Sequence, residues 1–191
     1  MIKTSISSSL RCPERELEHE VLVSEISRLL AEQSGYSESD VEYIAQAAKL
    51  HDTGKKFIPD NILEKPDKLT DEEYDIVKTH SVYGFIHLIQ QARMYMIAAI
   101  IALQHHERPE GNGYAGVKNI HAYAKLVAVA DVFDALVSPT RPYKEGWSLQ
   151  EAIDYMASNQ HKEFDAIYID AFIKSLDEIL KLYQPIVGVA D

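Results

Sequence analysis

Apolar residues in this chain recur at steps of three and four over long stretches, and alternate at steps of two over none of useful length. The first period belongs to helices that bury one face, the second to strands. In residues 14–33, ERELEHEVLVSEISRLLAEQ, Leu17, Val21, Ile26, Leu29 and Leu30 fall near one stripe. Ser39 with Glu42 reads as a capping box that opens a helix through Leu50. Thr70 with Glu73 predicts a helix over 71–90, and Ser148 with Glu151 predicts another through about Ser158. Residues 94–106 form an apolar helix, and the Ala and Val content of 122–137 predicts a helix packed closely on both sides. Residues 164–183 predict a C-terminal amphipathic helix stopped by Pro185. The expectation is an all-α, single-domain helical bundle over residues 14–191, with 1–13 as an N-terminal extension.

Three connections are longer than a bundle needs for linkage alone: 55–69, with two prolines; 107–121, with Gly111, Gly113 and Gly116; and 138–147, SPTRPYKEGW, which is basic and aromatic. Functional residues concentrate on such loops.

Composition narrows the function classes. A chain of 191 residues, 46% hydrophobic and 26% charged, has the make-up of one ordinary globular domain. Its longest apolar run, MYMIAAIIAL, is about half the ~20 residues of a membrane span, and residues 1–16 lack a signal-peptide core. A lone Cys12 cannot form an internal disulfide, and a cytoplasmic location is expected. A net charge of −11 argues against a nucleic-acid polymer as partner. It leaves room for a small phosphate ligand, because metals and a few placed cations set the local field.

Candidate chemistry lies at the helix ends. His19 lies in the first predicted helix, His51 and Asp52 end the second, His80 sits in KTHSVYG, His105 and His106 end the apolar helix, and Asp131 lies inside AVADVFDAL. Singly, each is more often a hydrogen-bonded core residue than a ligand. Together these nitrogens and oxygens suit Zn, Fe, Mn and similar ions. Neighbours on a helix point about 100° apart, so His51 and Asp52 suit two adjacent ions with the carboxylate bridging, unless the helix end distorts. His87, His121 and His161 lack such companions and read as structural or surface residues.

HDTGK, KTHS, HHERPEGNGY and ADVFDAL…RPYKEGWS, in that order, resemble the signature of the HD-GYP domain, a branch of the HD metal-dependent phosphohydrolases, over roughly residues 14–160. The resemblance implies an all-α fold and hydrolysis of cyclic di-GMP to linear pGpG, sometimes onward to GMP. It implies two divalent ions, iron or manganese by preference, although His and carboxylate ligands suit zinc and nickel too. His19, His51, Asp52 and Asp131 resemble the basic metal set of the superfamily, and His80, His105 and His106 resemble the ligands of a second ion with Asp52 as bridge. Lys55 resembles a lysine that meets a substrate phosphate, and Arg141 and Lys144 resemble basic residues that hold the scissile phosphate or its neighbour.

Two departures stand out. Members with a third metal carry a Glu four residues before the first His; here that position is Arg15, so two ions are expected. The name-giving Gly-Tyr-Pro reads Gly113-Tyr114-Ala115. Tyr114 keeps a stacking or hydrogen-bonding role, and loss of the proline is expected to free the backbone at Ala115.

In such a site a metal-bridging water would be activated as the nucleophile while the ions neutralise phosphoryl charge. Asp52 and Lys55 are the residues expected to carry the chemistry, Lys55 by offsetting charge in the transition state. Three classes stay open: a cyclic dinucleotide phosphodiesterase, an HD-type phosphohydrolase for another nucleotide, and a catalytically weak module that binds a nucleotide or a signalling protein.

Overall fold

The computed structural model describes residues 13–92, 95–138 and 147–187, and the side chains of 18–92, 95–138 and 147–183 among them. Ten α-helices follow one another within these residues: α1 (Pro13–Gln33), α2 (Glu38–Ala48), α3 (Asp60–Leu63), α4 (Asp71–Lys78), α5 (His80–Gln91), α6 (Met96–Gln104), α7 (Ala122–Val137), α8 (Leu149–Ser158), α9 (Ala166–Lys174) and α10 (Leu176–Val187). A 3₁₀ turn, Thr53–Phe57, lies between α2 and α3. No β-strand is found among the described residues, where the one β feature is an isolated bridge between Gln160 and Phe164. No helix among them is long and apolar enough to cross a membrane.

The centre of the bundle is α7. Its small residues Ala124, Val127, Ala128, Val129 and Ala130 are buried along with Leu126 and Phe133, so neighbours approach it from both sides as its composition predicts. Helix α1 lies against α2, α7 and α9, while α5 lies against α6 and the 3₁₀ turn. Phe133 sets its ring 4.8 Å from Phe172 of α9 and 5.9 Å from Tyr183 of α10, which ties the C-terminal helices to the centre.

Local signals decide several boundaries. The capping boxes at Thr70–Glu73 and Ser148–Glu151 are both formed. At α2 the cap is Ser37, not Ser39: its extended backbone (φ −64°, ψ 154°) and its hydroxyl, 3.2 Å from the Asp40 N–H, open the helix early. Glu42 is then free of capping duty and accepts from Arg28 at 2.7 Å.

The expected helix over 71–90 is divided at Thr79. Its hydroxyl donates to the Ile76 carbonyl at 2.6 Å, and the His80 ring donates from Nδ1 to the Val77 carbonyl at 2.7 Å. These side chains compete for carbonyls that a continuous helix would use. The C-terminal segment likewise divides at Ser175, whose N–H reaches both Ala171 and Phe172 carbonyls. It starts at an Asp165 cap rather than at Phe164, which is buried in the core. Pro185 does not stop the last helix, which continues to Val187.

Truncating Phe133 to Ala would remove the ring contacts that join α7 to Phe172 and Tyr183. We expect a loss of about 3–5 kcal/mol in chemical denaturation; a loss below about 1 kcal/mol would show that α7 is not the packing centre.

Candidate metal centre

The chain reverses direction after α2 in a way that brings neighbouring side chains to one point. Leu50, His51 and Thr53 donate their N–H groups three residues back, and Asp52 sits at φ −97°, ψ 6°, in the sparsely populated bridge region where active-site residues recur. The helix end is therefore distorted. His51 Nε2 lies 3.3 Å from Asp52 Oδ2 instead of pointing away from it.

Gly54 then lets the turn press against the start of α5. A Cβ at Gly54 would fall 1.9 Å from the His80 carbonyl oxygen and 2.5 Å from the Gly84 nitrogen. Glycine is required here for close approach rather than for backbone freedom. That contact fixes His80 against Asp52, with Nε2 3.3 Å from Oδ1.

The two oxygens of Asp52 face different imidazoles. Oδ1 has His80 at 3.3 Å and His105 at 3.7 Å, while Oδ2 has His51 at 3.3 Å and His19 at 3.8 Å. Asp131 enters from α7, its Oδ1 3.4 Å from His19 and 3.7 Å from His51, its Oδ2 4.0 Å from His106 Nδ1. Asp52, His80, His105 and His106 could hold one ion, and His19, His51 and Asp52 another. His51, His105 and Asp131 form a further such group, so the two halves interpenetrate. All seven sequence candidates for metal ligation thus come together.

The tautomers are set from behind. Nδ1 of His51, His80 and His105 donates to helix-end carbonyls at 2.7–3.1 Å, and Nδ1 of His19 bonds Asp134 Oδ2 at 2.6 Å. Each ring therefore turns Nε2 toward the centre, the arrangement that orients metal-binding histidines. His51 Nε2 and Asp52 Oδ1 are buried with no hydrogen-bond partner. Buried polar atoms without partners are costly, and divalent ions would satisfy both. The residues fit a metal pair.

The ionised carboxylates suit cations as well. Burial opposes ionisation of Asp52, but the Lys55 ammonium and His51 hold its carboxyl well below the usual range; hydrogen bonds to His19 and His51 do the same for buried Asp131. Burial pulls on His19 and His51 too, yet Asp131 and Asp134 push His19 up to about 9, and Asp52 and Asp131 push His51 up to about 10. Burial lowers His80 to about 4, with His105 adding to it, and holds His106 well below its normal value. Imidazolium on the His19–His51 side thus balances carboxylate and must give up its proton before it can ligate, while the other side has neutral imidazole.

Lys55, from the 3₁₀ turn, contacts Asp52 Oδ2 and lines an open cavity of about 290 Å³ that continues outward from the centre. Tyr114 lines it too, its ring 4.2 Å from His106 and tilted 36°, its hydroxyl 2.7 Å from that of Tyr74. Arg141 and Lys144 lie outside the described residues.

Two further residues shape the centre. Asp134 positions His19 and accepts from Tyr183 at 2.8 Å; its signal was the acid one turn after Asp131. Glu107 is buried, and its two oxygens accept from the Ala115 and Val117 N–H groups, both at 2.7 Å. A Cβ on Gly113 would meet the Glu107 Cα at 2.5 Å. The backbone at Ala115 is therefore tied down, contrary to the freedom expected from loss of proline, because its N–H is the donor that proline lacks. The acid directly after the His pair was the available signal.

A family model for the HD domain matches residues 6–167, and the chain belongs to that family. It is 45% identical over 156 residues to the "Cyclic di-GMP phosphodiesterase response regulator RpfG" of Xanthomonas campestris pv. campestris (strain 8004), covering 80% of this chain and 41% of that protein. It is 34% identical over 157 residues to "3'3'-cGAMP-specific phosphodiesterase 2" of Vibrio cholerae serotype O1, covering 80% of this chain and 30% of that protein. Among solved structures, "Bd1817, a HDG"Y"P protein from Bdellovibrio bacteriovorus" superposes with a TM-score of 0.69 at 26% identity, over 87% of this chain and 52% of that one. The chain spans less than half the length of these two curated relatives.

Replacing Asp134 by Asn removes the charge behind His19, and we expect metal affinity to fall about 10–100-fold in chelator competition; unchanged affinity would reduce Asp134 to a packing residue. Gly54→Ala should lower the metal content measured by elemental analysis while helical circular dichroism persists. Full metal loading of that variant would contradict the close approach at His80.

Proposed function

We propose that the chain is a metal-dependent phosphodiesterase that opens a cyclic dinucleotide, cyclic di-GMP to pGpG and onward to GMP, at a two-metal centre. The observation that carries this reading is Asp52, whose two oxygens turn toward separate sets of imidazoles. Iron or manganese is the assigned metal, by resemblance to the HD-GYP branch.

When bound, two divalent ions supply a nucleophile at neutral pH and neutralise charge on the phosphoryl oxygens. The protein groups supply placement. Asp52 and Asp131, held ionised, draw cations into the centre. Lys55 stands where the cavity meets the centre, so its ammonium can swing from Asp52 to a phosphoryl oxygen and offset charge as it develops. Tyr114, stacked on His106, offers an aromatic edge to the substrate at the same mouth. Arg141 and Lys144 are assigned by resemblance to the neighbouring phosphate.

The substrate class is also supported by the names of the relatives, both cyclic dinucleotide phosphodiesterases. The second is named for 3'3'-cGAMP, which keeps a mixed-base substrate as the second reading. A signalling-protein partner is proposed because one relative is a response regulator.

Purification without oxygen, elemental analysis, and turnover of a cyclic dinucleotide panel with added Fe or Mn test the reading. Asp52→Ala should lose both metal and hydrolysis with helical content intact; normal turnover by that variant refutes the bridging role. Lys55→Ala should keep its metal and lose turnover by about 10²–10³-fold, as when one transition-state donor is removed. Unchanged kinetics would leave Lys55 a helix-end cation.

A further inference from the structure

The cavity that opens from the metal centre carries a second set of polar groups that the phosphodiester chemistry does not use. Arg108, two residues beyond the His pair, lines it together with Glu163 and Tyr155. Each is held from behind. Arg108 donates from Nη1 to the carbonyls of His105 at 3.3 Å and Glu107 at 3.2 Å, and its guanidinium lies 5.8 Å over the Phe164 ring. Its Nε is 3.8 Å from Glu163 Oε2. The Tyr155 hydroxyl donates to Glu163 Oε1 at 2.6 Å, and Trp147 packs edge-on to the Tyr155 ring at 5.3 Å. The result is a fixed donor beside a fixed acceptor, 15% and 31% exposed.

The same cavity has an apolar part to its wall, made by Val132, Ala135 and Leu136 of α7. An apolar wall with a cationic donor next to a carboxylate suits a flat heterocycle that is polar along one edge. Guanine presents such an edge, with the O6 acceptor followed by the N1–H and N2–H donors. Adenine reverses the first two positions, offering an amino group where guanine has O6 and a lone pair where guanine has N1–H. It would set donor against Arg108 and acceptor against Glu163.

We propose that Arg108 and Glu163 form a guanine-reading pair beside the metal centre, in which Glu163 accepts from N1–H and N2–H and Arg108 donates to O6. A carboxylate has about four lone-pair sites, so the bond from Tyr155 leaves acceptors for both guanine donors. Tyr155 is a positioning residue that fixes the carboxylate. This assignment deepens the phosphodiesterase reading and rests on it, because the base arrives as part of that substrate. It names a selectivity that the ligand set of the metal centre cannot provide, since phosphate and metal are common to every cyclic dinucleotide.

The experiment compares kcat and KM for cyclic di-GMP and cyclic di-AMP in the metal-loaded wild type, Glu163→Gln and Tyr155→Phe. Wild type should prefer cyclic di-GMP. Glu163→Gln keeps the shape but turns one acceptor into a donor, and should erode that preference about 10–100-fold, the cost of leaving polar groups mismatched in a desolvated site. The change should fall in KM for cyclic di-GMP, with metal content and melting temperature unaltered. Tyr155→Phe should move in the same direction by less. A wild type indifferent to the base, or a Glu163→Gln ratio equal to wild type, overturns the guanine-reading pair while the phosphodiesterase reading stands. A wild type that cleaves no cyclic dinucleotide overturns both.

Discussion

The centre depends on one buried carboxylate, Asp52, placed where it can be shared. It is largely withdrawn from water, and the groups that keep it ionised are the cations and imidazoles around it. Burying an isolated charge is prohibitive unless it is paired or coordinated. The surrounding architecture is the means of meeting that condition: α2 ends in a tight turn, the next turn places Lys55 on the same oxygen, and α5 and α6 end or begin in histidines whose Nδ1 atoms are already committed.

This constraint explains why the site is built at helix ends. A helix interior consumes its own carbonyls, whereas the last turn leaves carbonyls unpaired. The carbonyls of Ala48 and Ile101 accept the backbone N–H of His51 and His105 and take the same residue's ring Nδ1 as a second donor, while those of Ala102 and Val77 accept from the rings of His105 and His80. The ring bond uses acceptor capacity left at the helix end and fixes a ligand at once. The break at Thr79 follows the same logic, because an unbroken helix over 71–90 would not offer the Val77 carbonyl to His80.

What could be read from the sequence was what is local or chemically unusual. Caps at Thr70 and Ser148 depend on four consecutive residues, and the seven histidines and aspartates declared themselves by residue type. What could not be read depends on partners far along the chain. Asp134 meets His19 across 115 positions, and Glu107 matters through the folded-back loop at Ala115 and Val117. The choice of Ser37 over Ser39 was lost because both carry the same hydroxyl, and only the backbone angles separate them. Nothing in the residues around Gly54 shows its reason, which is the surface of another helix, 1.9 Å from the atom it lacks. Residues 139–146, with Arg141 and Lys144, lie outside the described structure, so the basic loop stands on resemblance alone.

The most direct measurement is anomalous diffraction from crystals grown with iron or manganese. The account requires two ions per chain, each ligated by a different oxygen of Asp52, one in reach of His80 and His105 and the other in reach of His19 and His51. A single ion, or two ions that share no aspartate, would contradict it.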